Sequence, residues 1–162
     1  MIETKTQLIG VESKRFEPYR ARKPGEFSPA YRRDVWGSKM RAFETMRDDL
    51  TQNPARFAHL DAVQLVKHAF GIRTQAHKRR LNGILVYLYA EPTRWPKKNG
   101  RPISAAIRRE HADEAKKFAN TVAGSEVAVL TCTYREFLAA MRSSPFSDVR
   151  VHAEAVKKRF NP

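Results

Sequence analysis

Only one cysteine, Cys132, occurs in the 162 residues. That leaves no internal disulfide framework and no multi-cysteine zinc site. The five histidines show no zinc-like spacing with it. Long apolar runs are also missing, since none approaches the roughly 18 residues of a membrane span. The opening MIETKTQ has an acid and no apolar core, so it does not read as a secretory signal. There is no glycine-rich phosphate loop, no internal repeat and no low-complexity segment. The expectation is a soluble, cytoplasmic chain forming a single domain over residues 1–162.

Acids are the scarcest class relative to their opposites. Asp and Glu total 17 against 31 Lys and Arg, a net charge of +14. A surface of that sign favours polyanionic partners, because each phosphate contact releases condensed counterions. The basic residues are also clustered, at 14–23, 73–80, 94–109 and 157–159. Nucleic acid is therefore the expected partner. Tyr19, Tyr31, Trp36 and Trp95 interleave with arginines. They can stack on unpaired bases or anchor loops to the core.

Along the chain, MIET and LIGVES read as two short strands joined around Lys5, Thr6 and Gln7. A Pro- and Arg-rich loop follows to about Val35. Ser38 is placed to cap a helix carrying Phe43, Met46 and Leu50 on one face, which Asn53-Pro54 ends. Asp61 caps a second helix with an apolar stripe of Ala62, Leu65, Val66, Ala69 and Phe70. Asn82-Gly83 reads as a turn before ILVYLYA, a strand expected to be buried on both faces. Ser104 opens the expected longest helix, with Gly124 at its end. EVAVLTC is a further buried-strand candidate, and Cys132 is expected to be buried in it. Thr133 caps a short helix through Met141, and Ser147 opens the last one. This order predicts an α/β fold with a mixed sheet flanked by helices.

Glu-x-Lys occurs at Glu3/Lys5, Glu12/Lys14 and Glu114/Lys116. Residues two apart on a helix diverge, which sets aside Glu114/Lys116. Glu3 and Lys5 run into a turn. Glu12 and Lys14 end a strand-like apolar run, so both leave one face, about 6.6 Å apart along it. Of the three, that pair is built to act together.

An apolar strand running into Glu-x-Lys resembles the third core strand of the PD-(D/E)XK nuclease superfamily, the fold of many restriction endonucleases. DAVQLVKHAFGI resembles the helix that follows the active strand, with Gln64 and His68 one turn apart. Some RecB-type relatives carry Gln-x-x-x-Tyr there, and His68 replaces the tyrosine. ILVYLYAEP resembles the next core strand. The likeness runs from Met1 to about Glu91, and more faintly to Leu138.

The resemblance implies metal-dependent hydrolysis of DNA phosphodiester bonds, with Mg²⁺ as the cofactor. Glu12 and the Ser13 carbonyl would be metal ligands, Lys14 the catalytic cation, and Gln64 a supporting residue. One departure stands out. In a hairpin centred between Lys5 and Thr6, opposite positions sum to 11, and the position beside Glu12 falls before Met1. The family's metal-binding aspartate belongs there. The resulting expectation is the C-terminal portion of a restriction-endonuclease-like domain, lacking N-terminal elements and cleaving DNA poorly or not at all alone. The competing readings are a non-catalytic basic nucleic-acid-binding protein and an α/β subunit whose basic face contacts a protein.

Overall fold

The structure, a computed structural model, describes residues 1–21, 23–96 and 100–160. Strand β1 (Ile2–Glu3) turns back through Lys5 and Thr6 into β2 (Gln7–Lys14). The two are antiparallel and pair Ile2 with Ile9 and Glu3 with Leu8, the register in which opposite positions sum to 11. Strand β2 then runs parallel to β3 (Asn82–Tyr89), and β3 parallel to β4 (Val127–Thr133). The result is an open mixed sheet in the order β1-β2-β3-β4. With the five α-helices among the described residues it is the α/β arrangement that the alternation of patterns predicts.

Helices α1 (Arg41–Gln52) and α2 (Ala62–Arg79) lie in the long connection from β2 to β3. Asp61 caps α2 by accepting the Gln64 N–H at 3.1 Å, as its position implies. The stripe Leu65, Val66, Ala69 and Phe70 is fully buried and lies in one core with Leu85 and Tyr87 of the sheet. Two glycines let α2 come close. A Cβ at Gly10 would press into Ile72, and one at Gly83 would lie 3.0 Å from Ile72 and 3.1 Å from Val127. Gly83 is thus a packing residue inside β3, and the chain reverses earlier, at Arg80, which adopts a left-handed φ of 56°.

Ser38 does not cap α1. It opens a 3₁₀ turn through Met40, and the α-helix starts afterwards without a side-chain cap. The loop from Arg15 holds two more such turns, Glu17–Tyr19 and Pro29–Arg32. Helix α3 (Ala105–Thr121) is capped by Ser104 and buries His111, Ala115 and Phe118. At 17 residues it is one shorter than α2. Phe118 packs edge-on against Phe43 and Phe57. Thr133 and Glu136 form a reciprocal capping box at the start of α4 (Tyr134–Arg142), and α5 (Ser147–Phe160) follows.

The two strands expected to be buried on both faces are not. Strand β4 is a sheet edge with Leu130 53% exposed and Cys132 half-buried. In β3, Ile84 and Val86 are also only half-buried, because α2 covers the other face. An apolar run fixes a strand's composition but not how many faces its neighbours cover.

Candidate functional site

Even-numbered residues of β2 face α2, so Leu8, Gly10, Glu12 and Lys14 project to the same side. Helix α2 runs the opposite way above them and meets them in three rungs. Gln64 Oε1 accepts from Lys14 Nζ at 2.8 Å. His68 Nδ1 lies 3.1 Å from Glu12 Oε2. Ile72 fills the space over Gly10. Four helical residues rise about 6 Å and two strand residues about 6.6 Å, so the two ladders stay in step. The Lys14–Glu12 ion pair, 2.6 Å from Nζ to Oε1, closes the cluster. The sequence places Gln64 and His68 on one turn in need of polar partners; the fold supplies Lys14 and Glu12.

Glu12 is 8% exposed, and its cross-strand neighbours are the buried Tyr87 and, diagonally, Tyr89. Their rings stack with centroids 5.5 Å apart. The Tyr87 hydroxyl lies 2.7 Å from Nε2 of the fully buried His111. Burial against this wall pushes the Glu12 carboxyl up. Hydrogen bonds from His68 and Lys14, with their charge, outweigh it and hold the group below its ordinary value. Glu12 is an anion at neutral pH. His68 is the open side of the cluster, with 40% of its side chain exposed.

Backbone direction fixes the Ser13 carbonyl. The carbonyls of Thr6 and Lys14 accept from Asn82 and Ala90 of the β3 side, both at 2.9 Å. By alternation Val11 and Ser13 turn their backbone groups to the opposite edge. There β1 pairs only as far as Ile9. The Ser13 carbonyl thus faces an edge that β1 leaves unpaired among the described residues, while the Ser13 hydroxyl, on the sheet face opposite Glu12, meets Tyr134 at 2.7 Å.

Among the described residues, no group of three or more His, Cys, Asp and Glu side chains is placed to hold a metal ion. Glu12 and the Ser13 carbonyl supply two hard oxygen donors. Hard oxygens are the donor class that a Mg²⁺ site draws on, with water and substrate phosphate filling the remaining positions; here both Glu12 oxygens are engaged, by Lys14 and His68. Glu3, the other acid on this side of the hairpin, is ion-paired to Arg79 at the far end of α2. Asp48 and Asp49 are paired to Arg47 and Arg56.

The aromatics among the arginines serve as anchors. Trp36 and Tyr19 are buried, and Trp36 stacks on Phe70 at 4.3 Å. Tyr31 packs on Phe27 and Phe70. Trp95 stacks with Phe16, and the Arg20 guanidinium lies 5.5 Å from its centroid. Of the basic groups expected to meet nucleic acid, Arg20, Lys23 and Arg79 are exposed, whereas Arg22 and Lys97 lie outside the described residues. Among the partnerships that sequence reasoning missed are His111 with Tyr87, Ser13 with Tyr134, and Glu114 with the backbone N–H groups of Ala58, His59 and Leu60. All join residues more than 20 positions apart, and only the buried character of His111 was readable locally.

Among the described residues, no helix is long and apolar enough to cross a membrane. No family model, curated protein or solved structure matches this chain.

Proposed function

We propose that this chain acts on DNA as a restriction-endonuclease-like protein of the PD-(D/E)XK type, hydrolysing phosphodiester bonds at Glu12 and Lys14. The observation that carries this reading is the three-rung contact. It holds a carboxylate and an ammonium on one face of a parallel strand, beside an open backbone edge, under a helix that contributes Gln64 and His68. A net charge of +14 supports a polyanionic substrate.

Glu12 and the Ser13 carbonyl would hold Mg²⁺, which supplies activation of water and stabilisation of the pentavalent phosphate. Lys14 sets a positive charge beside the scissile phosphate and offsets the negative charge that develops on it. Gln64, accepting from Lys14 Nζ, fixes where that ammonium sits. His68 holds the second oxygen of Glu12 and keeps the carboxylate from turning away.

A non-catalytic, basic DNA-binding role is the second reading. It is favoured by one observation, that both oxygens of Glu12 are already engaged, by Lys14 and His68. Incubation of the purified chain with supercoiled plasmid across a Mg²⁺ series separates the two. The nuclease reading expects slow nicking that needs a large excess of Mg²⁺, since one carboxylate makes a weak site. Glu12→Ala and Lys14→Ala should each abolish it while leaving DNA binding within a few-fold. Binding with no nicking at any Mg²⁺ concentration selects the second reading.

A further inference from the structure

The sheet has a second face, and nothing among the described residues covers most of it. Odd-numbered residues of β2 point away from α2, and the register aligns them in rows across the strands. Ile2, Ile9, Ile84 and Ala128 form one row. Val11, Val86 and Leu130 form the next. Ile2, Val11 and Leu130 are 56%, 43% and 53% exposed. One row further on, Leu88 is buried and Ser13 is held by Tyr134 of α4, so the cover begins only at the C-terminal ends of the strands.

Two properties of this patch point to a partner. It belongs to parallel strands, which in α/β proteins have both faces packed. It also carries no charge. Of all the strand positions that point this way, from Ile2 to Cys132, none is Asp, Glu, Lys, Arg or His, although 30% of the chain is charged.

Area decides what the partner is. Four strands spaced about 4.8 Å and two rows about 6.6 Å apart give a footprint of roughly 250 Å². A stable dimer buries about 800 Å² on each partner, so even doubled for side-chain relief the patch falls well short of a second copy of this chain. One helix of three to four turns, about 10 Å wide and roughly 16–22 Å long, covers it. We propose that this face is the docking surface for a single amphipathic helix of a partner polypeptide. The helix would present an uncharged apolar stripe to Ile9, Val11, Ile84, Val86 and Leu130, as α2 does to the opposite face. The flanks of that helix, which border this chain of net charge +14, would be acidic.

Methyl and amide NMR titration of the intact chain with a synthetic 15-residue helix tests this, the probe having a Leu/Ala stripe and a Glu/Gln outer face. A scrambled peptide of equal composition and charge controls for binding to the basic surface. The expected result is shifts confined to the two rows, no comparable shifts from the scramble, and affinity weakened at least tenfold by Leu130→Lys. Leu130 is an exposed edge-strand residue, so the fold should survive, as circular dichroism will show; Val11→Lys repeats the test on another strand. Glu12→Ala, on the other face, should leave the affinity unchanged. Shifts elsewhere, equal shifts from the scramble, or none at saturating peptide would overturn the proposal. So would a concentration-dependent dimer in sedimentation that Leu130→Lys dissolves, which would assign the face to a second copy.

Discussion

Two buried ionisable residues in this chain respond to acid in different pH windows. His111 is fully buried, and burial, with the nearby His59, lowers it from 6.5 to about 4. It is neutral in the fold and takes up a proton on unfolding, so its stabilising effect is complete above pH 6.5 and is lost as the pH falls towards 4. In urea titrations, His111→Phe should flatten the loss of stability between pH 6.5 and 4.5 relative to the parent chain. Equal slopes would mean that the imidazole is protonated in place. Glu12 works lower down. Its carboxyl is held below the ordinary 4.5, so its contribution is present above that value and lost as the pH falls through the folded one. Glu12→Gln should therefore remove stability at pH 7 and converge with the parent at strongly acid pH, read from the denaturant midpoints. The roles of Glu12 and Lys14 as a pair on one face were legible from a strand period of two. The buried wall around Glu12 was not, because its cross-strand neighbour Tyr87 lies 75 positions away in the chain and is backed in turn by His111, 99 positions from Glu12.

At the scale of elements, the site depends on how α2 is seated. Its start is set by the Asp61 cap, and the loop before it is clasped by Glu114 of α3, whose carboxylate accepts three consecutive backbone N–H groups at 2.6, 2.9 and 2.8 Å. Hydrogen bonds to a charged group contribute about 1.5–3 kcal/mol each and do not simply add. Glu114→Ala should cost about 2–4 kcal/mol in chemical denaturation, and a loss below 0.5 kcal/mol would show the clasp to be dispensable. Helix stripes, the Asp61, Ser104 and Thr133 caps and the hairpin register could all be read from local spacing. The setting of the strands could not. ILVYLYA and EVAVLTC carry the composition of strands packed on both sides, yet Val86 is half-buried and Leu130 exposed. Coverage is decided by distant segments. Ser38 shows the local counterpart, since a good capping residue was overridden by a 3₁₀ turn that brings Met40 into the core.

For the whole molecule, the excess of positive charge predicts DNA affinity that falls steeply with salt. The logarithm of the association constant should decline linearly with the logarithm of salt concentration, with a slope of about −0.9 per phosphate contacted. Retention that is equal at low and high ionic strength would remove the case for DNA. Arg79 is bound to Glu3, so Arg20→Ala and Lys23→Ala should reduce that slope more than Arg79→Ala does. The proposed metal site is tested most directly without waiting for cleavage. Mn²⁺, a paramagnetic substitute for Mg²⁺, can be titrated into the chain bound to duplex DNA while amide and side-chain signals are followed by NMR. A metal held by Glu12 and the Ser13 carbonyl should broaden residues 12–14, 64 and 68 first, and Glu12→Gln should abolish that localised effect. Broadening spread over exposed acids such as Glu110 and Asp113, with Glu12 to Lys14 unaffected, would contradict the account.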